Sequence, residues 1–390
     1  MIQRRLLLAA TLLVPAIAGA GEWRTGGMAA LELRSFTQAA AFPEQHQGSD
    51  LSGVLEPELS YGADRWSVTL RPYLRVDQHD AERTHFDIRE AYWETAQNAW
   101  ELRVGIRKVY WGVAESQHLV DFINQIDAVE NIDGEDRLGQ PMVNLAIVKD
   151  YGTLDLFALP GFRERTFAGE DGRLRPGLSI SEDDRIIEAR NGRAHTDWAA
   201  RYSHSLGDWD IGVSHFYGTT RDPRFILRGA AMVPVYELIT QSGLDLQWTT
   251  GSWLWKFEAI DRVGQQDRFK ALVFGYEYTF NGLIGPADLG VLTEYQFDER
   301  GKAGASPSDN DVFFGARLAV NDTASTELLA GMVQDLDYET QFFNVEASRR
   351  IGESFKATLE GRFFSAVRPG DPLFALSNDD YIELGLTHYF

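Results

Sequence analysis

Five arginines share one register. Arg71 and Arg75 stand four apart in one segment, Arg89 falls in the next, and Arg103 and Arg107 stand four apart in the one after. On an extended chain, even spacing puts such residues on the same side. Like charges packed side by side are costly unless water or carboxylates screen them, so a dry core excludes them and a wet passage accepts them. The segment that follows, 110–140, supplies the opposite charge through Asp121, Asp127, Glu130, Asp133, Glu135 and Asp136. Folded back against the arginines, it would set a carboxylate row opposite a cation row, and the field between such rows selects small polar or charged solutes at a constriction. In a plainer arrangement the arginines pair with neighbouring carboxylates such as Asp87 and Glu101 and serve stability alone. Within the acidic segment, 118–131 reads as weakly helical.

Catalytic and metal chemistry have less to work with. Ser203-His204-Ser205 and Ser214-His215 hold the residue types of a nucleophile and its base. Neighbours on one strand face opposite sides, so neither pair can share a proton. His204 and His215 fall on the outward-facing set near Tyr202 and Tyr217. His85 with Asp87, and His195 with Asp197, have same-face spacing, but each pair gives a metal only two ligands. Asp133-Gly134-Glu135-Asp136 offers oxygens to Ca²⁺ without the spacing of a full calcium loop, and reads as a solvated acidic loop. There is no phosphate-cradling glycine motif and no His-Glu-x-x-His zinc motif. No catalytic residue, metal or cofactor is expected.

Strands must carry these residues. From Arg65 to Asp77, apolar Trp66, Val68, Leu70, Leu74 and Val76 alternate with polar positions. The same period of two runs through Trp100, Leu102, Val104 and Ile106, through Trp253, Trp255, Phe257 and Ala259, and through Phe355, Ala357, Leu359, Gly361 and Phe363. Predicted strands cover 25–37, 51–61, 65–79, 84–96, 99–109, 141–149, 153–159, 193–206, 209–220, 235–249, 252–263, 267–280, 287–298, 310–320, 325–336, 339–350, 353–365 and 380–390. Many reach about 10–13 residues, longer than the ~5–6 usual in globular sheets and matched to a tilted membrane strand. Short joins such as Gly62-Ala63-Asp64 and Gly207-Asp208 alternate with long ones such as 38–50, 110–140 and 160–192. The fold class that follows is all-β: an antiparallel transmembrane β-barrel of about eighteen strands, or sixteen if 141–149 and 153–159 do not pair, with short periplasmic turns and long outer loops. Trp66, Trp100, Trp209, Trp248, Trp253 and Trp255 all lie beside short joins, as an interfacial aromatic girdle would.

The chain's ends agree with that reading. Arg4 and Arg5 precede the apolar stretch Leu6–Ile17, and Ala18-Gly19-Ala20 follows with small residues, the order of a signal peptide cleaved after Ala20. Residues 21–390 are then one barrel domain. Its departure leaves 35 of the 37 Lys/Arg against 58 Asp/Glu, a net charge of about −23, which excludes nucleic acid as a partner. With 10 Trp, 14 Tyr and 23 Phe the chain is no disordered acidic segment, and with no Cys it has neither disulfides nor a Cys-linked lipid. The last strand ends on Phe390, and Glu383, Gly385, His388 and Phe390 resemble the terminal signal read by the barrel-assembly machinery, with His388 in place of an aromatic.

Two further resemblances follow. An arginine row opposite an acidic third loop is similar to the eyelet of general porins. Arg103-Val104-Gly105-Ile106-Arg107-Lys108-Val109-Tyr110-Trp111-Gly112, then Asp121, Asn124 and Asp127, then Glu135-Asp136-Arg137-Leu138-Gly139, and later Leu159-Pro160-Gly161-Phe162-Arg163, resemble a large uncharacterised family of porin-like proteobacterial outer-membrane proteins. That match covers about a sixth of the chain. The resemblance implies a barrel and transport, including of apolar compounds, and assigns no catalytic residue. The expected function is passive passage of small solutes across the bacterial outer membrane. The alternatives are a conduit for hydrophobic compounds or partner of a lipid or hydrocarbon exporter, and a structural or adhesive barrel. Expected partners are outer-membrane lipids, lipopolysaccharide, the assembly machinery and small solutes. A homo-oligomer is left open.

Overall fold

Period-two segments of this length satisfy their backbone hydrogen bonds in a membrane only by pairing into a closed sheet. The computed structural model, which describes residues 21–301 and 308–390, forms that sheet. In chain order the strands are β1 (Glu22–Phe36), β2 (Ser49–Ala63), β3 (Trp66–Asp77), β4 (His85–Gln97), β5 (Trp100–Arg107), β6 (Gln140–Lys149), β7 (Gly152–Pro160), β8 (Ile186–Ile187), β9 (Thr196–Leu206), β10 (Trp209–Thr219), β11 (Arg224–Arg228), β12 (Ala231–Tyr236), β13 (Leu238–Thr250), β14 (Trp253–Val263), β15 (Phe269–Ile284), β16 (Ala287–Asp298), β17 (Asn310–Ala319), β18 (Glu327–Asp335), β19 (Gln341–Ile351), β20 (Phe355–Ser365) and β21 (Tyr381–Tyr389). Eighteen of them form one sheet of antiparallel neighbours. It closes where β21 pairs with β1, Arg34 opposite Glu383 and Leu31 opposite Leu386. The weak pair is formed, as β6 with β7. The other three strands, β8, β11 and β12, make a small separate sheet within the long loops. The signal-peptide expectation lies outside the described residues.

Alternation sorts the two faces. Val68, Leu74 and Val76 of β3 are exposed, whereas Tyr73, Arg75 and Asp77, which alternate with the last two, are buried inside the barrel. A bulge between Arg71 and Pro72 leaves an extra residue on β4, so that Arg89 and Glu90 both reach inward partners. At the short-turn end the aromatics cluster: Trp209 stacks on Trp248 at 5.2 Å, Trp253 on Trp255 at 5.8 Å, and Tyr61 touches both Trp23 and Trp66.

Part of the lumen is filled by the chain itself. Trp111, Val120, Phe122 and Ile123, from the segment between β5 and β6, form a dry cluster with Phe157, Phe216, Ile239, Ile260 and Phe269 on the barrel wall. That segment is the third long loop. It contains turns and isolated bridges rather than the helix expected over 118–131. Its polar side chains bond its own backbone, an alternative that competes with helix formation.

Candidate functional site

The inward loop, residues 108–139, is held to itself before it is held to the wall. Asn124 Nδ2 donates to the carbonyls of Arg107 and Leu138 at 2.8 Å each, and its Oδ1 accepts from the Val109 N–H, so one amide fastens both ends of the loop. Asp121 accepts from the Trp111 N–H and pairs with Arg137 at 3.0 Å. The motif residues Asp121 and Asn124 are thus internal staples. Phe162 packs on Tyr236, and Arg163 reaches Asp87 at 2.8 Å and donates to the Gly139 carbonyl.

At the near wall, the loop's carboxylates meet two of the five arginines. Arg89 lies 2.6 Å from Asp127, and Arg75 lies 2.6 Å from Glu130 and 2.5 Å from Glu32. All are buried except Glu32, which is partly so. Despite burial, His85 and the Arg89 guanidinium hold Asp127 down at about 2, so it is ionised at neutral pH. Breaking such a buried pair from one side costs ~3–5 kcal/mol, because the remaining charge is stranded. Arg71 pairs instead with Glu56, Glu58 and Glu90, and Arg103 with Glu94 and Glu101. Arg107 has Asn144 and the face of Tyr92 beside it.

At the far wall the loop is gripped by strand carboxylates. Glu258 of β14 accepts from the N–H groups of Val113, Ala114 and Val120 at 2.7, 2.9 and 3.2 Å. Glu294 of β16 accepts from Glu115 and Ser116. Gly112, at a φ of 117°, allows the first grip, since a Cβ there would lie 2.7 Å from Glu258 Oε1. Asn131 donates to Glu360, and Asp133 pairs with Arg362 at 2.9 Å, both on β20. Glu258, Glu294 and Arg362 were not singled out from sequence as site residues. Their inward register was visible; their partner was not.

A cavity of about 1850 Å³ lies between the loop and the β14–β21 wall, and a smaller one of about 400 Å³ lies on the β4 side, against His85, Asp87 and Arg163. Of the residues expected at a constriction, Asp121, Asp133 and Glu135 line the larger one. Arg71, Arg75, Arg89, Arg103, Arg107, Asp127, Glu130 and Asp136 lie outside its lining. Four of the five arginines are thus taken by carboxylates along β3–β5: Glu130 and Asp127 of the loop cover Arg75 and Arg89, while Arg71 and Arg103 pair with wall carboxylates and stay partly exposed. Inside the barrel, burial pushes Asp133 up to about 6 against the pull of the Glu135 N–H and Arg362. Burial and the charges of Glu130 and Asp133 push Asp136 up to about 7, although its side chain still touches water. Burial opposes a charged His118, but Glu135 and Glu258 outweigh it and raise the imidazole.

The other candidates resolve as follows. Ser214 points inward and His215 outward, and His215 Nδ1 lies 3.0 Å from Ser242 Oγ on the next strand. His215, Ser242, Asp261 and Lys270 are successive cross-strand partners, a polar row near the long-loop edge of the outward face. Asp261 is taken by Arg268 at 2.6 Å. His195 sits edge-on to Tyr217, while Asp197 pairs with Arg221 at 2.6 Å. His85 approaches Asp127 and Glu130, at 3.6 and 3.3 Å, rather than Asp87. Among the described residues, two groups have metal-ligand spacing: His85, Asp127 and Glu130, and Asp133, Glu346 and Glu360. A guanidinium lies against each, Arg89 on the first and Arg362 on the second.

A closed antiparallel barrel with a long loop folded inside it is the architecture of porin-like outer-membrane proteins. The chain is similar to OpdQ of Pseudomonas aeruginosa at 11% identity, covering 95% of this chain and 98% of that one, with a TM-score of 0.54. It is similar to a BenF-like porin from Pseudomonas fluorescens Pf-5 at 10% identity, over 95% and 98%, with a TM-score of 0.54. It is also similar to Wzi of Escherichia coli, described as a carbohydrate-binding barrel involved in capsule assembly, at 10% identity over 92% and 83%, with a TM-score of 0.53. No protein-family model and no curated protein matches the chain.

Proposed function

We propose that this protein is an outer-membrane channel for the passive diffusion of small solutes. One observation carries the reading: the larger cavity runs the length of the wall. Its lining includes Arg317, Glu327 and Lys356 near the short-turn end and Phe364, Leu373 and Phe374 near the long-loop end. From Lys356 to Phe364 is eight residues along β20, roughly 20 Å of depth for a tilted strand. That covers most of the ~25 Å apolar band of such a barrel, along a wall carrying polar groups. The bacterial outer membrane fits the apolar outward band and the resemblance of 103–163 to porin-like proteins of that membrane. In this reading the residues that set the passage are Asp133 and Glu135 of the loop and Glu346, Glu360 and Arg362 of the facing wall.

The test is ion conductance of the purified, detergent-extracted barrel in planar bilayers. Discrete, voltage-stable conductance steps are expected, with a preference for cations. The cavity lining holds thirteen Asp and Glu against nine Lys and Arg, which sets that sign. Absence of steps in any salt would refute the channel and favour a structural or adhesive barrel.

A further inference from the structure

The inward wall of β17–β20 is ordered in rungs. Toward the long-loop end, Phe313, Val333, Phe342 and Phe364 are successive cross-strand partners. The rings of Phe342 and Phe364 lie 5.1 Å apart. The next inward rung is Gly315, Gly331, Asn344 and Arg362, and the one after is Arg317, Leu329, Glu346 and Glu360. Inward positions of a water-filled barrel are ordinarily polar. A four-strand apolar rung is therefore a cost unless something apolar covers it. Its members line the same cavity as the charged rung. The two glycines leave a hollow between them, into which the Phe313 ring leans: a Cβ on Gly331 would lie 2.4 Å from that ring.

Below the hollow, charge is unbalanced. Carboxylate oxygens of Asp133, Glu346 and Glu360 lie within 4.8 Å of one another. One guanidinium, Arg362, serves all three, at 2.9, 2.7 and 3.4 Å. Glu346 and Glu360 are directly opposed on neighbouring strands, an arrangement that like charges disfavour. The apolar and acidic rungs are four residues apart, about 13 Å along the strands.

Resting on the channel reading, we infer that the preferred solute is an amphipathic cation: an apolar, ring-sized body that lies on the Phe342–Phe364 rung and a cationic head drawn to Glu346 and Glu360. Phe313 and Phe364 are already buried by the protein, so what the body covers is the half-buried Phe342 and Val333 beside them. The head supplies the charge that Arg362 alone does not. Ring faces also attract a cation directly.

The experiment uses block of potassium current through the full barrel by permanently charged probes. Trimethyl(6-phenylhexyl)ammonium, whose extended linker lets ring and head reach both rungs, is compared with hexyltrimethylammonium, which lacks the ring, and with 6-phenylhexanesulfonate, which reverses the charge. Half-block by trimethyl(6-phenylhexyl)ammonium is expected at a concentration at least about tenfold below either control, the factor that corresponds to ~1.4 kcal/mol. Phe342→Ser should remove most of the advantage over hexyltrimethylammonium, and Phe342→Leu should retain part of it. Glu346→Gln should remove most of the advantage over 6-phenylhexanesulfonate while leaving the barrel's heat-modifiable migration unchanged. Potassium conductance with equal block by all three probes overturns the inference and leaves the channel standing. Preferential block by 6-phenylhexanesulfonate overturns it too. No conductance at all overturns the channel reading and this inference with it.

Discussion

Releasing the inward loop from the far wall should enlarge the passage. Glu258→Ala removes the acceptor of three N–H groups, those of the buried Ala114 and Val120 and the partly buried Val113. An unpaired buried donor costs about 1–3 kcal/mol. The cavity is adjacent, so water reaches some of these groups, and the lower end applies: roughly 3 kcal/mol for the three. Glu294→Ala frees the Glu115 and Ser116 N–H groups and the Ser116 hydroxyl, which line the cavity and can turn to water, so they add little. The total stays at about 3 kcal/mol, roughly two tenfold steps in the docking equilibrium. The near-wall pairs, Arg75 with Glu130 and Arg89 with Asp127, remain and keep the loop's other half in place. Single-channel recording of the double variant should show larger and noisier openings than the parent. Glu258→Gln keeps a neutral acceptor oxygen and should lie between the two, because charge-assisted bonds are about twice as strong as neutral ones. A double variant with normal heat-modifiable migration and unchanged conductance would refute the claim that these carboxylates hold the loop across the lumen.

Two further outcomes are expected. Asp133 is pushed up to about 6, so it is ionised at pH 7.5 and neutral at pH 5. The cavity loses a negative charge on acidification, and reversal potentials should show cation preference falling across that interval. Asp133→Asn should lower cation preference at pH 7.5 and reduce the dependence, the remainder coming from His118, which lines the same cavity and gains charge on acidification; an unaltered pH profile in that variant would contradict the assignment. The terminal strand should also be needed for assembly: deletion of Phe390, or Leu384→Arg on the outward face, should lower outer-membrane levels measured by blotting. Leu384 is 54% exposed, and a cation at mid-band costs ~2–4 kcal/mol. Unchanged levels in both variants would remove this claim.

How much the sequence disclosed depends on how local the signal was. Strand periodicity is local, and every barrel strand falls where alternation puts it, within a few residues at most ends; β15 runs on to Ile284 past a bulge at Phe280. The weak 141–159 pair is ambiguous in sequence because Met142, Ala146 and Phe157 are inward yet apolar, packing in the filled part of the lumen. That filled part was not legible, since it depends on which wall Trp111, Val120 and Phe122 meet after the loop turns back. The same holds for charge. Arg75 and Arg89 could be placed on the inner face from spacing, and the loop's carboxylates could be placed nearby. Which pairs would be dry anchors and which would face open space is set by barrel closure. Asp133 meets Arg362 on β20, 229 positions along the chain, a contact that no pattern in the intervening sequence encodes.

The central claim is that solutes move along the β17–β20 wall and not through the lumen as a whole. The chain has no cysteine, so a single introduced thiol is the only one present. Ser348→Cys on β19 and Thr358→Cys on β20 place it in the cavity lining. Ser214→Cys places it at an inward position of β10 that is buried on the filled side. Each variant is recorded in a planar bilayer before and after addition of a cationic methanethiosulfonate reagent. The account predicts a lasting drop in conductance for Ser348→Cys and Thr358→Cys and none for Ser214→Cys. A drop at Ser214→Cys with unmodified current through the other two would contradict it.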